Sequence, residues 1–466
     1  MFKLPEYIQK LMSTFTKAKY QIYLVGGGVR NLLMKRETQN WDFATNATPE
    51  QILTLFPDGF YHNTYGTVSI PVETSQQDVS TIVEITPFRK ESDYKDTRHP
   101  ETISWAKTIE EDLARRDFTI NAIAYDGKKI IDLWEGQKHI DEKKIAAVGN
   151  ADERFQEDAL RLMRAVRLTA QLGFLIEEKT LSAIKKNAHL ISKVSQERIR
   201  DEIIRILSSD NPSEGILFLR NTGLLSFIIP ELDACFAVSQ ISPKRHHIYD
   251  VGTHLIMALK HCPSKDPITR LATLLHDIGK VKTYRKDPKT QIITFYNHEV
   301  VSTILVTKIA DRLKLSNKEK EKLIQLVKYH QFSVSEIQTD KAVRRFIREV
   351  GKEYVQDMLD LRTGDRIGSG STPTSWRLEL FKKRLIDVQK QPFAITDLKI
   401  NGDDVMKKLN IQPSRQVGEI LKKLFEQVVE GKLKNERKIL LKELSVCHSR
   451  EGRVHPEPVH REGNSD

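Results

Sequence analysis

The sequence predicts an α+β protein: a small mixed head of strands and helices over residues 1–150, followed by an all-α body. Two patterns predict this. Short β-rich runs with partial alternation occur at 21–25, 41–45 and 79–88, all in the first part of the chain. From about residue 150 the texture changes, with helical spacing of apolar residues over 153–172 and 197–207 and few further strand signals. The length of 466 residues leaves room for three or four domains of roughly 100–200 residues each.

Pro and Gly punctuate the helical part. Asn211-Pro212 and Ile229-Pro230 bracket a small unit, Ser242-Pro243 opens a histidine-rich stretch, and 364–373 (GDRIGSGSTP) is the most linker-like segment. The expected domains are a head at 1–150, a helical neck at 151–240, a histidine-bearing unit at 241–367, a basic helical unit at 368–446 and a disordered tail at 447–466.

Composition excludes several classes. No run approaches the ~20 apolar residues of a membrane span, and the N-terminus MFKLPE has no apolar signal core. The three cysteines include no C-x-x-C pair, so neither a disulfide framework nor a zinc ribbon is expected, and a reducing cytoplasm fits. The net charge of +11 suits a polyanionic partner such as nucleic acid, or simply a basic cytoplasmic protein.

The chemistry begins at Gly26-Gly27-Gly28-Val29-Arg30, between a strand and a helix. Glycines there let a phosphate approach the backbone, and Arg30 can add a forked contact to its oxygens; a tight turn without a ligand is the other reading. In the next strand, Asn40 and Asp42 share one face while Trp41 and Phe43 pack behind. Two carboxylates at that spacing can hold a pair of Mg²⁺ ions on a nucleoside triphosphate, but only Asp42 is a carboxylate here.

The run YLVGGGVRNLLMKRETQNWDFATNATPEQI resembles the head signature of tRNA nucleotidyltransferases and bacterial poly(A) polymerases, in the polymerase-β-like superfamily. The resemblance continues through VEITPFR (83–89), YKDTRHP (94–100), EDLARRDFTINA (111–122), EDALR (157–161) and QERI (196–199), spanning about residues 20–230. It implies a polymerase-β-like head and template-independent addition of nucleotides to an RNA 3′ end. Gly27 and Arg30 would hold the triphosphate, and Arg116 would contact the nucleotide. Asp42 and Asn40, at the carboxylate positions, would bind Mg²⁺. Two positions depart from the family: it has Asp where this chain has Asn40, and usually Asp where it has Asn31. A neutral amide oxygen should bind Mg²⁺ more weakly, so Asn40 either impairs the catalyst or is compensated by another carboxylate. Glu84, on an adjacent predicted strand, is the nearest candidate, unless it is only a solvated strand residue.

Asp158, Arg161, Arg164 and Arg167 recur every third residue, as a continuous polar stripe on one expected helix. The stripe is either an ion-paired solvated face or a base reader. Cytosine and adenine both set an exocyclic amine beside an unprotonated ring nitrogen, so Asp158 accepting and Arg161 donating can imitate a Watson–Crick partner. Uracil and guanine would oppose like to like. This is the role of the EDxxR motif in the CCA-adding enzymes it resembles, which select CTP and ATP without a template.

A second constellation is His254, His276-Asp277, His298, His330 and Asp365. His276 and Asp277 follow an apolar helix and can chelate a metal completed from distant helices. HDIGK at 276–280 resembles the HD phosphohydrolase superfamily. That resemblance implies a mono- or dinuclear metal site, with a transition metal as the candidate, acting on phosphate esters; the other reading is a helical module that supports RNA. Arg344-Arg345-Phe346-Ile347-Arg348 and Lys422, Lys423, Lys432, Lys434, Arg437, Lys438 and Lys442 offer contacts to an RNA backbone.

The resemblance thus implies an enzyme that builds or repairs the 3′ CCA of tRNA from CTP and ATP with Mg²⁺. It would meet the acceptor arm and 3′ end of tRNA and no membrane. Alternatives are a poly(A) or A-only polymerase, a metal-dependent phosphohydrolase acting on RNA ends or nucleotides, and a catalytically silent RNA-binding protein.

Overall fold

The head is built on strands β1 (Ile22–Val25), β2 (Trp41–Thr45), β3 (Phe60–Tyr61), β4 (Val68–Glu73) and β5 (Ser80–Pro87), a separate antiparallel pair β6 (Arg89–Tyr94) and β7 (Pro100–Trp105), and β8 (Ile123–Tyr125) and β9 (Ile130–Asp132). Seven of them form a mixed sheet in the order β3-β4-β5-β2-β1-β8-β9, in which only β2 and β5 run parallel among the described pairs. The strands at 22–25, 41–45 and 80–87 agree with the expected runs, because β-branched and aromatic residues alternate there. Trp41 and Phe43 are buried while Asp42 between them is not, as the two-residue period requires.

The computed structural model describes residues 2–38, 41–61, 66–73, 80–94, 100–241, 249–389, 395–429 and 432–451. Asn40 and residues 95–99 of the 94–100 motif lie outside them. The chain divides into two compact units, Met1–Gln331 with Gln356–Pro373, and Phe332–Val355 with Thr374–Asp466.

In the first unit a helical neck follows the head. The helix expected over 153–172 is two helices, Ala151–Glu157 and Leu160–Leu172. Asp158 is in extended backbone (φ −139°, ψ 104°) and its Oδ1 accepts from the Leu160 N–H at 3.0 Å. This local turn takes the backbone out of the helix, so Asp158 is not on one helix with the three arginines. Strand structure also persists past 150 in two short pairs, Lys144–Ile145 with Leu175–Ile176 and Arg285–Lys286 with Ile293–Thr294.

The linker-like stretch at 364–373 is corrected as well: helix Val355–Gly368 runs through its first half. A Cβ added at Gly364 would lie 2.5 Å from the Ala258 oxygen, and one at Gly368 2.7 Å from the Ala258 nitrogen. These glycines serve close packing against helix Val251–Lys260, which is how Asp365 enters the histidine cluster.

Residues 332–355, assigned from sequence to the histidine-bearing unit, group with the C-terminal unit. There the rings of Phe332, Phe346 and Phe381 pack against one another, and Arg344 is buried, so 344–348 is not a uniformly exposed basic patch. A second cluster (Ile400, Val405, Leu424, Leu440, Leu444) is built on helices Gly402–Leu409, Arg415–Val429 and Arg437–Glu451. The last of these carries helix to residue 451, into the segment expected to be disordered; 452–466 lie outside the described residues. Lys422, Lys423, Lys432, Lys434, Arg437, Lys438 and Lys442 are exposed. No helix among the described residues is long and apolar enough to cross a membrane.

Candidate nucleotidyltransferase site and a histidine cluster

The parallel register of β2 on β5 sets Asp42 directly opposite Glu84. In-register neighbours project to the same face, so the two carboxylates stand side by side. β5 is an interior strand, flanked by β2 and β4, so Glu84, although exposed to solvent, lines the cleft and is not at a sheet edge. Asp42 makes no hydrogen bond or ion pair among the described residues, while burial and the Glu84 charge push its carboxyl above the ordinary range against the pull of Arg116. A carboxylate pair held this way fits a divalent cation, which relieves both the burial and the repulsion.

The glycine turn ends β1 beside this pair. Gly26 has φ +66°, a conformation that L side chains rarely adopt, and a Cβ there would lie 3.3 Å from Arg116 Nη1 and 4.0 Å from Asp42 Oδ2. The turn, the carboxylate strand and Arg116 therefore converge. Arg30, on helix Gly27–Leu33, donates through Nη1 to Asn121 Oδ1 at 2.6 Å and through Nη2 to Asn31 Oδ1 at 3.3 Å. Its Nε is buried with no partner among the described residues, and burial lowers its pKa to about 10, partly offset by Asp117. An anion in the cleft would satisfy both conditions.

Several acids that sequence reasoning gave no role hold the arginines in place. Asp112, fully buried, takes bidentate contacts from Arg115 and from Arg116, at 2.7 Å and 2.9 Å for the Nη2 atoms. Burial pushes its carboxyl up, but Arg116 and Arg115 override this and leave it at about 2. Asp117 is clasped by Arg164 Nε at 2.7 Å and Nη2 at 2.6 Å, and accepts from Asn121 and the Phe118 N–H. It too is held well below the usual range, because Arg164 and Arg161 outweigh burial. Arg167 pairs with buried Glu202 at 3.2 Å. The arginines that Asp117 and Glu202 hold in the cleft wall, Arg164 and Arg167, are remote in sequence, so local spacing does not reveal those pairs.

Arg161 donates to Glu157 at 2.6 Å, to the Arg154 carbonyl at 3.1 Å and to the Arg115 carbonyl at 3.0 Å. Asp158 meets Arg198 at 2.7 Å. Gly27, Arg30, Asp42, Glu84, Arg116, Asp158, Arg161, Arg164 and Arg167 all line one cleft of about 1040 Å³. Nine arginines against four carboxylates line it, so its walls favour a polyphosphate.

The four histidines come together elsewhere in the same unit, from the ends and faces of four helices, and a fifth helix brings Asp365. Asp277 Oδ2 lies 3.3 Å from His276 Nε2 and 3.4 Å from His254 Nε2, and Asp277 Oδ1 lies 3.0 Å from His298 Nε2 and 3.4 Å from His330 Nε2. Asp365 Oδ1 is 3.4 Å from His254 Nε2. His276, His298 and His330 each donate from Nδ1 to a backbone carbonyl three residues earlier, which turns Nε2 toward the centre. Metal bonds of about 2.0–2.2 Å put neighbouring ligand atoms roughly 3.0–3.5 Å apart, so the donor set fits a metal. Lys280 reaches Asp277 Oδ2 at 2.6 Å and Gln240 at 2.9 Å. Burial opposes a charge on His276, yet Asp277 and Asp365 raise its pKa to about 10.

A carboxylate pair facing an arginine-walled cleft is arranged for chemistry on a nucleoside triphosphate. The model of the poly A polymerase head domain matches residues 22–146, and the protein is a nucleotidyltransferase. The model described as the probable RNA and SrmB-binding site of polymerase A matches 173–236, and that of putative tRNA nucleotidyltransferase domain 2 matches 291–444. The CCA-adding enzyme of Ligilactobacillus salivarius is 32% identical over 436 residues, 92% of this chain and 94% of that protein. That of Lactococcus lactis subsp. lactis is 30% identical over 452 residues, 94% and 98% of the two chains. The chain belongs to the CCA-adding enzyme family. Its fold is similar to that of the Bacillus stearothermophilus CCA-adding enzyme in complex with CTP, with a TM-score of 0.68, 24% identity, and 97% and 100% of the two chains covered.

Proposed function

We infer that the protein adds the terminal C, C and A to the 3′ end of tRNA, from CTP and ATP, and works in the cytoplasm. The observation that carries the catalytic part is the in-register pair of Asp42 and Glu84 at the mouth of the arginine-lined cleft. Asp42 and Glu84, with the residue at 40, would hold Mg²⁺, which when bound activates the RNA 3′ hydroxyl and screens the triphosphate charge. Arg30 and the Gly26-Gly27 turn bind the triphosphate, and Arg116, fixed by Asp112, orients the nucleotide beside the carboxylates. Asp158 and Arg161 select the base by its amine and its unprotonated ring nitrogen, while Arg164 and Arg167, locked on Asp117 and Glu202, keep the wall cationic. Glu84 supplies the second carboxylate that position 40 does not.

The discriminating experiment gives tRNA lacking its CCA either CTP, ATP or both, with Mg²⁺. Two C additions with CTP alone and completion only when ATP is present are expected. Addition of A alone, with CTP ignored, would instead identify an A-only polymerase.

A second reading concerns the body. The convergence of four imidazoles and two carboxylates supports a metal site formed by His254, His276, Asp277, His298, His330 and Asp365. A transition metal there would activate water against a phosphate ester of an RNA end or a nucleotide. Protein purified without chelator should carry bound metal by elemental analysis, and His276→Ala should lose most of it. The same variant should lose any Mn²⁺- or Ni²⁺-dependent opening of a cyclic phosphate end to a monoester, or release of phosphate from a terminal monoester or nucleotide, and keep nucleotide addition. Hydrolysis of either kind that survives both chelation and His276→Ala would sink the reading.

A further inference from the structure

We propose that Arg198 is a positioning residue for base selection: it fixes the Asp158 carboxylate in the orientation that accepts from the amine of cytosine or adenine, and it turns one further donor toward the same nucleotide. The proposal rests on the base-reading role of Asp158 and Arg161 and names what holds that reader still.

Asp158 stands in extended backbone between two helices, so helical packing does not fix its side chain. Two contacts do. The Leu160 N–H donates to Oδ1 at 3.0 Å, and Arg198 Nη2, from helix Gln196–Leu207, donates to Oδ2 at 2.7 Å. Each oxygen is thereby engaged on one side and keeps acceptor capacity on the other. A carboxylate held at both oxygens presents its acceptors in one plane, which a coplanar base amine requires. Arg198 also lines the cleft, and its Nη1 is buried with no hydrogen-bond partner among the described residues. Buried guanidinium N–H groups seldom go without an acceptor, and the nucleotide in this cleft would supply one. Discrimination therefore depends on a residue forty positions from the reader.

The test measures kcat and KM for CTP, ATP, UTP and GTP on tRNA lacking its CCA, using Arg198→Met, Arg198→Lys and Asp158→Ala with thermal midpoints as the folding control. Arg198→Met is expected to erode the preference for CTP over UTP by roughly tenfold and to raise KM for CTP more than it lowers kcat. Arg198→Lys keeps a donor on Oδ2 and should recover most of the preference but not the KM. A folded Arg198→Met with an unchanged CTP:UTP ratio, or Arg198 variants that slow all four nucleotides equally, overturns the proposal. If Arg198→Met does not fold, Arg198→Lys decides by the same two criteria. Should Asp158→Ala also leave selectivity intact, the base-reading assignment itself fails; if Asp158→Ala relaxes it and the Arg198 variants do not, only the role of Arg198 falls.

Discussion

Replacing Asp42 by asparagine is expected to lower kcat for CMP and AMP addition by on the order of 10³-fold, while KM for either nucleotide changes little. The size follows from its position. Asp42 is the carboxylate opposite Glu84 in the cleft, and residue 40, two positions earlier in the sequence, is already an amide. The variant should fold as well as the parent or slightly better. Asp42 makes no hydrogen bond or ion pair among the described residues, and burial together with Glu84 raises its pKa. Removing its charge therefore relieves repulsion rather than breaking a contact. A large loss of kcat with an unchanged thermal midpoint separates this from a structural defect. A matching fall in both would show that Asp42 supports the fold and not the chemistry.

The largest effect on stability is expected at Asp117. It is buried, and it receives both arms of Arg164 together with Asn121 and the Phe118 N–H, so Asp117→Ala strands an arginine and two further donors at once. Breaking a buried pair in this way costs about 3–5 kcal/mol, and the partly exposed Arg164 places the expectation near the lower end. The sign of the pH dependence is fixed by the direction of the shift. Asp117 is held below the ordinary carboxylate range, so its contribution is present above the unfolded value of about 3.9 and is lost as pH falls toward the folded one. Denaturant titrations of the parent and of Asp117→Asn should therefore keep their gap from pH 7 down to about pH 4 and converge as pH falls further toward the folded value. A gap that stays constant below about pH 4 would mean that the pair is not what stabilises the neck against the head.

How much of this was legible beforehand differs by residue, and for physical reasons. Asp42 and Glu84 were readable because a two-residue period shows which residues share a face, although their exact register depends on the crossover between β2 and β5. The turn at Gly26 was readable because only glycine tolerates its backbone. The break at Asp158 was not, since apolar residues keep helical spacing straight across it; a side chain bonding two residues ahead ends the helix, and the other restraint on Asp158 is Arg198. Gly364 and Gly368 misled for the opposite reason. Glycine marks flexible segments and tight helix contacts alike, and here their contact with Ala258 identifies the second use. The histidine set was found as residue types, but only the folded chain shows that Asp277 offers one oxygen to each pair of imidazoles.

The most direct test of the central claim is gel-resolved extension of tRNA lacking its CCA, with CTP, ATP and Mg²⁺, run for the parent protein beside Asn40→Asp and Asp42→Asn. The account predicts C, C and A added in order by the parent protein, the same products at lower Mg²⁺ by Asn40→Asp, and none by Asp42→Asn. Extension that persists undiminished in Asp42→Asn, or no extension by either of the other two chains, would contradict it.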